Sequence, residues 1–331
     1  MIKAWLNALL VIGLSLSSVQ SSAGLPDSPQ VQEFMARMVA EHRFDKPTLQ
    51  RWLGQAEIKD SILSAMAKPA EAKPWYEYRK IFLTDERIAG GVKFWHDHAG
   101  ILSQVEQRYG VPASIIVAII GVETRYGQNV GKYRVIDALA TLGFAYPKRS
   151  EFFLKELENF LLLCREQNID PLQPVGSYAG AMGMPQFMPS SYRSYAADFD
   201  GDRFKDIWRN PADAIASVAN YFAQHQWRPG ETVVLPVVAK TPAYRALLGN
   251  DLKLDQTVAQ IEAAGVWMPS YLSRSAPAKL LAYQTEQGEE LWLGLNNFFV
   301  ITRYNRSALY ARAVFELSEA IKIRYQAIPM P

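Results

Sequence analysis

The most constraining feature of this sequence is a helix with almost no polar face. Residues 115–122 read Ile-Ile-Val-Ala-Ile-Ile-Gly-Val, so helical spacing places apolar side chains on nearly every side. A helix of this kind is buried within a core and does not lie on a surface. Gly110 is typical of a helix end and Pro112 of a first helical turn. The sequence therefore predicts a buried helix over residues 112–126.

A carboxyl group stands at the end of this apolar helix, in the run Gly121-Val122-Glu123-Thr124-Arg125-Tyr126-Gly127. Burial raises the pKa of a carboxyl group, and the negative end of the helix dipole also disfavours the ionised form. A general acid for glycosidic cleavage needs such a carboxyl, protonated near neutral pH. On helix geometry alone, the more common interpretation is a structural ion pair of Glu123 with Arg125 or a nearby lysine.

The composition indicates a folded protein with a substantial core. Of 331 residues, 49% are hydrophobic and 21% charged, which suits one large compact unit or two coupled ones. The formal net charge of +2 gives no indication of a nucleic-acid surface. The 16 Tyr and 8 Trp suit a groove that stacks on sugar rings.

The N-terminus is typical of an export signal. Lys3 precedes a short apolar run over residues 8–16, and the stretch ends in Ser21-Ser22-Ala23. This arrangement predicts a signal peptide over residues 1–23, cleaved near Ala23; an anchor that stays attached is the alternative. The one cysteine is Cys164, so a lipid has no attachment atom near the cleavage site. We expect an exported, periplasmic, soluble protein.

The remaining chain is mainly helical, of the α+β class, with small β elements in its last third. Helices are predicted over residues 29–66 (with apolar spacing Val31, Phe34, Met35, Met38, Val39), 88–109, 135–142, 150–166, 213–226 and 308–324. β structure is predicted over residues 232–238 and in a hairpin over residues 281–293 that turns at Gln287-Gly288.

A loop rich in small residues occupies positions 176–192, and its polar members include Ser177 and Gln186. Glycine permits close approach of the backbone, and Gln186 offers both a donor and an acceptor. The pattern is typical of a site where a sugar approaches the backbone. A tight helix-packing loop is the alternative.

An acidic loop follows. Asp198, Asp200 and Asp202 occupy positions 1, 3 and 5 of a Ca²⁺-loop pattern, and Phe204 at position 7 offers its backbone carbonyl. The pattern departs from the standard loop because position 6 is Arg203 and position 12 is Arg209. Asp213 is the best candidate for the closing carboxylate. A solvated acidic turn is the alternative.

Three stretches together resemble the lytic murein transglycosylase B family: the glutamate motif at 121–127, the small-residue loop at 176–192 and the acidic loop that begins at Asp198. The resemblance extends from about Trp75 to Tyr310. It includes two further motifs, residues 131–142 (Gly-Lys-Tyr-Arg-Val-Ile-Asp-Ala-Leu-Ala-Thr-Leu) and residues 217–222 (Ser-Val-Ala-Asn-Tyr-Phe). The resemblance implies a lysozyme-like helical catalytic core with an EF-hand-like loop. It implies a division into residues 1–23, an N-terminal helical region 24–99, a catalytic core 100–228 and a C-terminal α/β region 229–331.

The resemblance also implies the site residues. Glu123 corresponds to the family's catalytic glutamate, and the elongated EF-hand-like loop implies structural Ca²⁺ at Asp198, Asp200, Asp202, Phe204 and Asp213. Relative to the family's loop, this sequence has one added residue between Trp208 and Pro211, ahead of Asp213. The implied sugar-binding residues are Tyr78, Lys148, Arg149, Ser177, Gln186, Phe187, Met188, Tyr221, Tyr304, Asn305 and Tyr310.

The activity implied is cleavage of the β-1,4 bond between N-acetylmuramic acid and N-acetylglucosamine, with a 1,6-anhydro product and no catalytic cofactor. The sequence indicates no second carboxylate partner for Glu123. The implied partners are peptidoglycan strands and other cell-wall enzymes, and the protein is expected to be a monomer. A hydrolytic muramidase, a non-catalytic glycan-binding protein and a Ca²⁺-responsive structural protein are the alternatives.

Overall fold

A computed structural model of the chain describes residues 25–67, 73–249 and 251–327. The predicted signal peptide lies outside these residues. Contacts divide the chain into two compact units, one up to Gly54 and one from Gln55 onward. The four-segment division implied by the family resemblance stays a prediction.

The first unit contains two helices, α1 (Pro29–His42) and α2 (Lys46–Gly54). Helix α1 ends at Arg43, which has a left-handed backbone and donates its N–H to the carbonyls of Met38 and Val39. The predicted apolar spacing is confirmed for four side chains, whereas Val39 is 36% exposed. The buried four are Val31, Phe34, Met35 and Met38.

The second unit holds the remaining helices and all the strands of the described residues. Its helices are α3 (Asp60–Ala67), α4 (Trp75–Phe82), α5 (Asp85–Asp97), α6 (Ala99–Tyr109), α7 (Ala113–Thr124), α8 (Val135–Ala145), α9 (Ser150–Glu166), α10 (Pro189–Tyr195), α11 (Pro211–Gln224), α12 (Val258–Ala263), α13 (Asn296–Tyr304) and α14 (Ala308–Gln326). Its strands are β1 (Tyr133–Arg134), β2 (Val175–Gly176), β3 (Val234–Val237), β4 (Gln256–Thr257), β5 (Pro277–Thr285) and β6 (Gly288–Gly294).

Helix α7 is the centre of this unit. Every residue from Ala113 to Gly121 is buried, and α7 contacts α5, α6, α11 and α14. The prediction of a buried apolar helix is confirmed. Because its neighbours surround it, the residues at its C-terminal end are held by several elements at once.

The prediction of one helix over residues 88–109 is wrong. The chain bends at His98 (φ −122°, ψ 22°), which separates α5 from α6. The His98 ring packs edge-on against Phe94, with 4.6 Å between centroids. The bend allows both helices to bury apolar side chains, since α5 buries Val92 and α6 buries Leu102.

The strands form two small antiparallel sheets. Strands β1 and β2 pair Tyr133 with Gly176, and the larger sheet has the order β3-β6-β5-β4. The predicted hairpin is confirmed as β5–β6, although Thr285 pairs with Gly288. The turn therefore lies at Glu286-Gln287, one residue before the predicted position.

Within the described ranges, no single helix combines the length and apolar composition of a membrane span. The pair α6 and α7 reaches that combination jointly, with a bend of 113° between the two helices.

Candidate active site

Glu123 lies in the last turn of α7, at a tightly closed helix end. Arg125 and Tyr126 both adopt left-handed backbones, with φ of 50° and 62°. The Arg125 N–H donates to the Gly121 carbonyl at 3.1 Å, and the Tyr126 N–H donates to the Ile120 carbonyl at 3.3 Å. These bonds satisfy carbonyls that would otherwise lack a partner at the helix end. They fix the backbone that carries the Glu123 side chain.

The glycine before Glu123 makes room for an aromatic ring. A Cβ on Gly121 would lie 2.6 Å from the Tyr126 ring, which is closer than two non-bonded carbon atoms can approach. The Tyr126 hydroxyl donates to the Arg87 carbonyl at 2.6 Å. The Arg87 guanidinium in turn donates to the Gly121 carbonyl. Helix α5 is thereby tied to the end of α7.

A second tie joins α7 to the loop of small residues. The Thr124 hydroxyl lies 3.0 Å from the Met184 carbonyl and accepts a 3.0 Å hydrogen bond from the Gly127 N–H. Thr124 is fully buried. Because Thr124 is adjacent to Glu123, this bond sets the carboxyl group relative to the loop that carries Gln186.

The partner of Glu123 is Tyr310, whose hydroxyl donates to Oε1 at 2.6 Å. Burial raises the pKa of Glu123 from 4.5 to about 7, and the hydrogen bond from Tyr310 partly offsets that rise. Arg125 is exposed, and no cation of the described chain forms an ion pair with Glu123. The structure therefore has no pairing of the kind that helix geometry alone favoured.

Tyr310 is held in the first turn of α14. The Ser307 hydroxyl caps this helix by accepting the Tyr310 N–H at 3.2 Å, and the Tyr310 side chain is buried. Burial and the nearby Glu123 charge both raise the pKa of Tyr310, so its hydroxyl stays protonated as a donor. The same two causes raise the pKa of Tyr78, whose ring lies 5.3 Å from that of Phe82, centroid to centroid.

Glu123 opens into a cavity of about 550 Å³. Three of its lining residues were predicted from the sequence as site residues: Glu123, Ser177 and Gln186. The other lining residues were not, and they are Gln128, Asn129, Val130, Gly131, Lys132, Tyr133 and Tyr178. The signal that could have found most of them is their position, since residues 128–133 directly follow the glutamate motif.

Ser177 and Gln186 present opposite hydrogen-bonding groups to the cavity. The Ser177 hydroxyl accepts from the N–H groups of Ala179 (3.3 Å) and Ala181 (3.0 Å), so its proton remains to be donated. The Gln186 side-chain amide donates to the carbonyls of Val130 (3.2 Å) and Gly183 (2.9 Å), so its oxygen remains to accept. The pair can bind an amide that carries one donor and one acceptor.

Three predicted aromatic residues pack together but do not line the cavity. The Tyr221 ring lies 4.8 Å from Tyr304 and 5.8 Å from Phe187, centroid to centroid. The Tyr304 hydroxyl donates to the Pro185 carbonyl at 2.6 Å, and the Tyr221 hydroxyl donates to the Arg303 carbonyl at 2.7 Å. These contacts support the small-residue loop.

Four further predicted residues also lie outside the lining. Met188 precedes α10 as its N-cap, and Asn305 follows α13 as its C-cap. Lys148 and Arg149 lie in the 3-10 turn Pro147–Arg149 and are exposed. The Arg149 guanidinium stacks 4.4 Å from the centroid of the Phe152 ring. The roles in sugar binding that the resemblance implies for these residues stay predictions.

The acidic loop brings three carboxylates together. One oxygen from each of Asp198, Asp200 and Asp202 lies within 4.8 Å of the others. Arg203 has a φ of 74°, the left-handed backbone that a glycine commonly provides at position 6. Carboxylate oxygens are the ligands that a hard divalent cation prefers. A bound cation would also offset the repulsion among the three negative charges.

Asp213 has a different environment from the other three acids. It is fully buried, and its two oxygens each accept a 2.8 Å hydrogen bond, from the N–H groups of Phe199 and Asp206. Burial raises the pKa of Asp213, and the charges of Asp200 and Asp198 add to the rise. Asp213 therefore closes the loop onto α11 through the backbone, and its role as a ligand stays a prediction.

Comparison with known proteins assigns the chain to a family. Residues 26–319 match the sequence profile described as the transglycosylase SLT domain. The chain belongs to the transglycosylase SLT-domain family. One member, the membrane-bound lytic murein transglycosylase B of Escherichia coli (strain K12), is 44% identical over 315 residues, which cover 92% of this chain and 86% of that protein.

Two solved structures of this transglycosylase family are similar to the chain. The Escherichia coli lytic transglycosylase Slt35 in complex with calcium has a TM-score of 0.84 and 44% identity, over 92% of this chain and 96% of its own. SltB3 from Pseudomonas aeruginosa in complex with NAG-NAM-pentapeptide has a TM-score of 0.79 and 31% identity, over 88% and 79%. The mainly helical, lysozyme-like fold expected from the sequence is thus confirmed.

Proposed function

We propose that this protein is a peptidoglycan lytic transglycosylase with Glu123 as its single acid and base. It cleaves the β-1,4 bond between N-acetylmuramic acid and N-acetylglucosamine and leaves a 1,6-anhydromuramic acid end. The observation that carries the proposal is a carboxyl group with a pKa of about 7 that borders the cavity. A carboxyl with this pKa is partly protonated at neutral pH, so it can both donate and accept a proton.

The surroundings of Glu123 support a route that needs one carboxyl group. Among the described residues that line the cavity, Glu123 is the one carboxylic acid. Glycosidases that hydrolyse through two carboxyl groups place them about 5–10 Å apart across the bond. An intramolecular hydroxyl replaces water in the proposed route, so a second carboxylate is not required.

The proposed reaction has two proton transfers. Protonated Glu123 donates to the oxygen that links the two sugars, and the bond breaks through an oxocarbenium-like state. The neighbouring N-acetyl group of the substrate stabilises this state, as in substrate-assisted glycosidases. The ionised Glu123, stabilised by Tyr310, then accepts the proton of the muramic C6 hydroxyl. The C6 oxygen at the same time bonds to C1 of the same sugar. Glu123 ends protonated, and no water is consumed.

The polar pair of the cavity suits the substrate's N-acetyl group. That group has one N–H donor and one carbonyl acceptor, which match the free Gln186 oxygen and the free Ser177 hydroxyl. An amide held by both groups is fixed in orientation, which favours attack of its oxygen on the anomeric carbon. Ser177 and Gln186 are therefore proposed to orient the N-acetyl group.

The remaining proposals concern cation, location and partners. The loop Asp198–Asp200–Asp202 is proposed to bind structural Ca²⁺, and catalysis is proposed to need no cofactor. Action in the periplasm follows from the predicted export signal, and the relative's name places that protein at a membrane. Binding of peptidoglycan strands, contact with other cell-wall enzymes and a monomeric state complete the proposal.

The test is the mass of the soluble products released from purified sacculi. We expect muropeptides lighter by one water than hydrolytic products, because the anhydro ring forms internally. Glu123→Gln should release none while still binding glycan, and Glu86→Gln, an exposed acid on α5, should release them at the wild-type rate. Products that contain the added water would indicate a muramidase. Normal turnover by Glu123→Gln would contradict the assignment of the catalytic residue.

A further inference from the structure

We propose that Lys132 binds a carboxylate of the glycan substrate inside the catalytic cavity, a specificity contact that rests on the proposed function. Lys132 lines the same cavity as Glu123, Ser177 and Gln186. Among the described lining residues it is the one basic side chain. The substrate class follows from this charge: a glycan that carries acidic substituents, in preference to a neutral one.

The backbone at Lys132 is fixed. Gly131 before it has a φ of 95°, and a Cβ there would collide with the Gly176 carbonyl. Tyr133 after it pairs with Gly176 in the sheet of β1 and β2. The backbone of Lys132, which directly precedes β1, is therefore held beside Ser177, which directly follows β2, and a fixed backbone of this kind supports a selective contact.

Two neighbouring arginines are committed to the fold, whereas Lys132 is not. The Arg134 guanidinium donates to both carboxylate oxygens of Asp137 at 2.8 Å. Arg87 donates to the carbonyls of Gly121 and Ile81. Lys132 is exposed, and its ammonium group makes no hydrogen bond or ion pair with any residue that the structure describes. Its charge is available to a ligand.

Lys132 is also separate from the acid chemistry of Glu123. Burial and the Tyr310 hydrogen bond set the pKa of Glu123, with no contribution from the Lys132 charge. An ammonium close to the carboxyl group would lower its pKa and work against a general acid. The arrangement keeps a cation in the cavity for the substrate without ionising the catalytic group.

The ligand that matches an ammonium in a polar cavity is a carboxylate. In peptidoglycan, carboxylates come from two sources: the lactyl group of muramic acid when it carries no peptide, and the peptide itself when it does. Oligomers of N-acetylglucosamine have neither group. A neutral glycan would leave Lys132 without a counter-charge, so the proposal predicts discrimination between the two kinds of oligosaccharide.

The experiment measures binding by calorimetry in a Glu123→Gln background, which prevents turnover. The probes are chitotetraose, a peptide-free tetrasaccharide of alternating N-acetylglucosamine and N-acetylmuramic acid, and the same tetrasaccharide with its peptides. Adding Lys132→Gln should weaken binding of an acidic probe roughly ten-fold, as expected for loss of a charge-assisted hydrogen bond. Binding of chitotetraose should not change, and Lys132→Arg should restore most of the loss. Lys322→Gln, which removes an exposed charge on α14 outside the cavity lining, should affect none of the probes.

The pattern across probes identifies the carboxylate. A loss confined to the peptide-free probe indicates the lactyl carboxylate, and a loss confined to the peptide-bearing probe indicates a peptide carboxylate. A loss for both probes indicates that Lys132 accepts either carboxylate. An equal loss for chitotetraose, or no loss for any probe, overturns the proposal. The wild-type assay for anhydro products is run alongside, so that failure of the proposed function is recognised separately from failure of the Lys132 contact.

Discussion

The hydroxyl of Tyr310 lies 2.6 Å from Oε1 of Glu123, and this bond joins the first turn of α14 to the last turn of α7. Burial raises the pKa of the carboxyl group to about 7, and the bond from Tyr310 opposes that rise. The buried environment thus favours the protonated acid. The Tyr310 hydroxyl stabilises the carboxylate that remains after Glu123 has protonated the substrate. Both states of Glu123 are therefore accessible near neutral pH.

Replacement of Tyr310 by Phe should raise the pKa of Glu123, because the ionised form loses its hydrogen bond. A hydrogen bond to a charged group contributes about 1.5–3 kcal/mol, which corresponds to roughly one to two pKa units. The basic limb of the pH profile of kcat/KM should move to higher pH by about that amount, with a lower maximal rate. Tyr304→Phe, which loses a bond to the Pro185 carbonyl, is the control and should leave the limb in place. An unchanged limb in Tyr310→Phe would show that this bond does not set the pKa.

The raised pKa of Glu123 also predicts how stability depends on pH. The folded state binds the proton more tightly than the unfolded state, so the protein is most stable below about pH 4.5 with respect to this group. That contribution is lost as the pH rises through about 7. Its full size is at most about 3 kcal/mol. Glu123→Gln should therefore gain free energy of unfolding relative to wild type between pH 5 and pH 8, measured by urea denaturation. A constant difference across this range would contradict the pKa shift.

Removal of Ca²⁺ should lower thermal stability without abolishing the fold. A cation that binds only the folded state stabilises it by mass action, by about 2.7 kcal/mol at a concentration one hundred times Kd. Differential scanning calorimetry should show a Tm lower by about 5 °C in EDTA. Asp202→Asn should lose this dependence, while Asp170→Asn, outside the loop, should keep it. A wild-type Tm that is the same with and without EDTA would count against the site.

Arg312 should be one of the most sensitive positions for stability. It is 3% exposed, and its guanidinium lies 4.2–4.5 Å from the ring centroids of Trp75, Tyr283 and Trp292. It also donates to Glu316 at 2.7 Å and to Glu290 at 2.8 Å. Its two carboxylate partners are partly exposed, at 46% for Glu290 and 20% for Glu316, so the main loss on removing Arg312 is its buried stacking on three rings. A desolvated cation–π contact of this kind contributes about 2 kcal/mol.

We therefore expect Arg312→Ala to lose several kcal/mol in urea denaturation. Arg312→Lys should recover little of this, because a lysine has neither the planar stack nor the two-sided hydrogen bonding. Arg79→Gln, at a more exposed arginine 3.9 Å from Glu316, should change stability by less than about 1 kcal/mol. Equal losses at Arg79 and Arg312 would contradict this account of the cluster.

The sequence predicted helices whose apolar spacing and boundaries both lie within one continuous stretch. Helix α9 occupies Ser150–Glu166, the predicted range, because its apolar spacing and its boundaries are visible in one stretch of sequence. The apolar helix and the position of Glu123 at its end were predicted for the same reason. The break at His98 was missed, because apolar spacing continues across it and only packing of the two halves reveals the bend.

Long-range contacts in the site were beyond the local pattern. Tyr310 is 187 residues from Glu123. The family resemblance implied Tyr310 as a sugar-binding residue and gave no indication of its bond to the carboxyl group. Thr124 and Met184 meet in the same way across 60 residues. Lys132 belongs to the motif over residues 131–142, yet its place in the cavity depends on the pairing of β1 with β2, which neither short strand indicates alone.

The most direct test of this account is the titration of the Glu123 carboxyl group itself. Isotope-edited infrared or ¹³C NMR spectra of the wild type minus those of Glu123→Gln isolate its signal from the other carboxyl groups. We expect a midpoint near pH 7. A midpoint near 4.5, the value of an exposed glutamate, would mean that the group is ionised at neutral pH and would contradict its role as the acid.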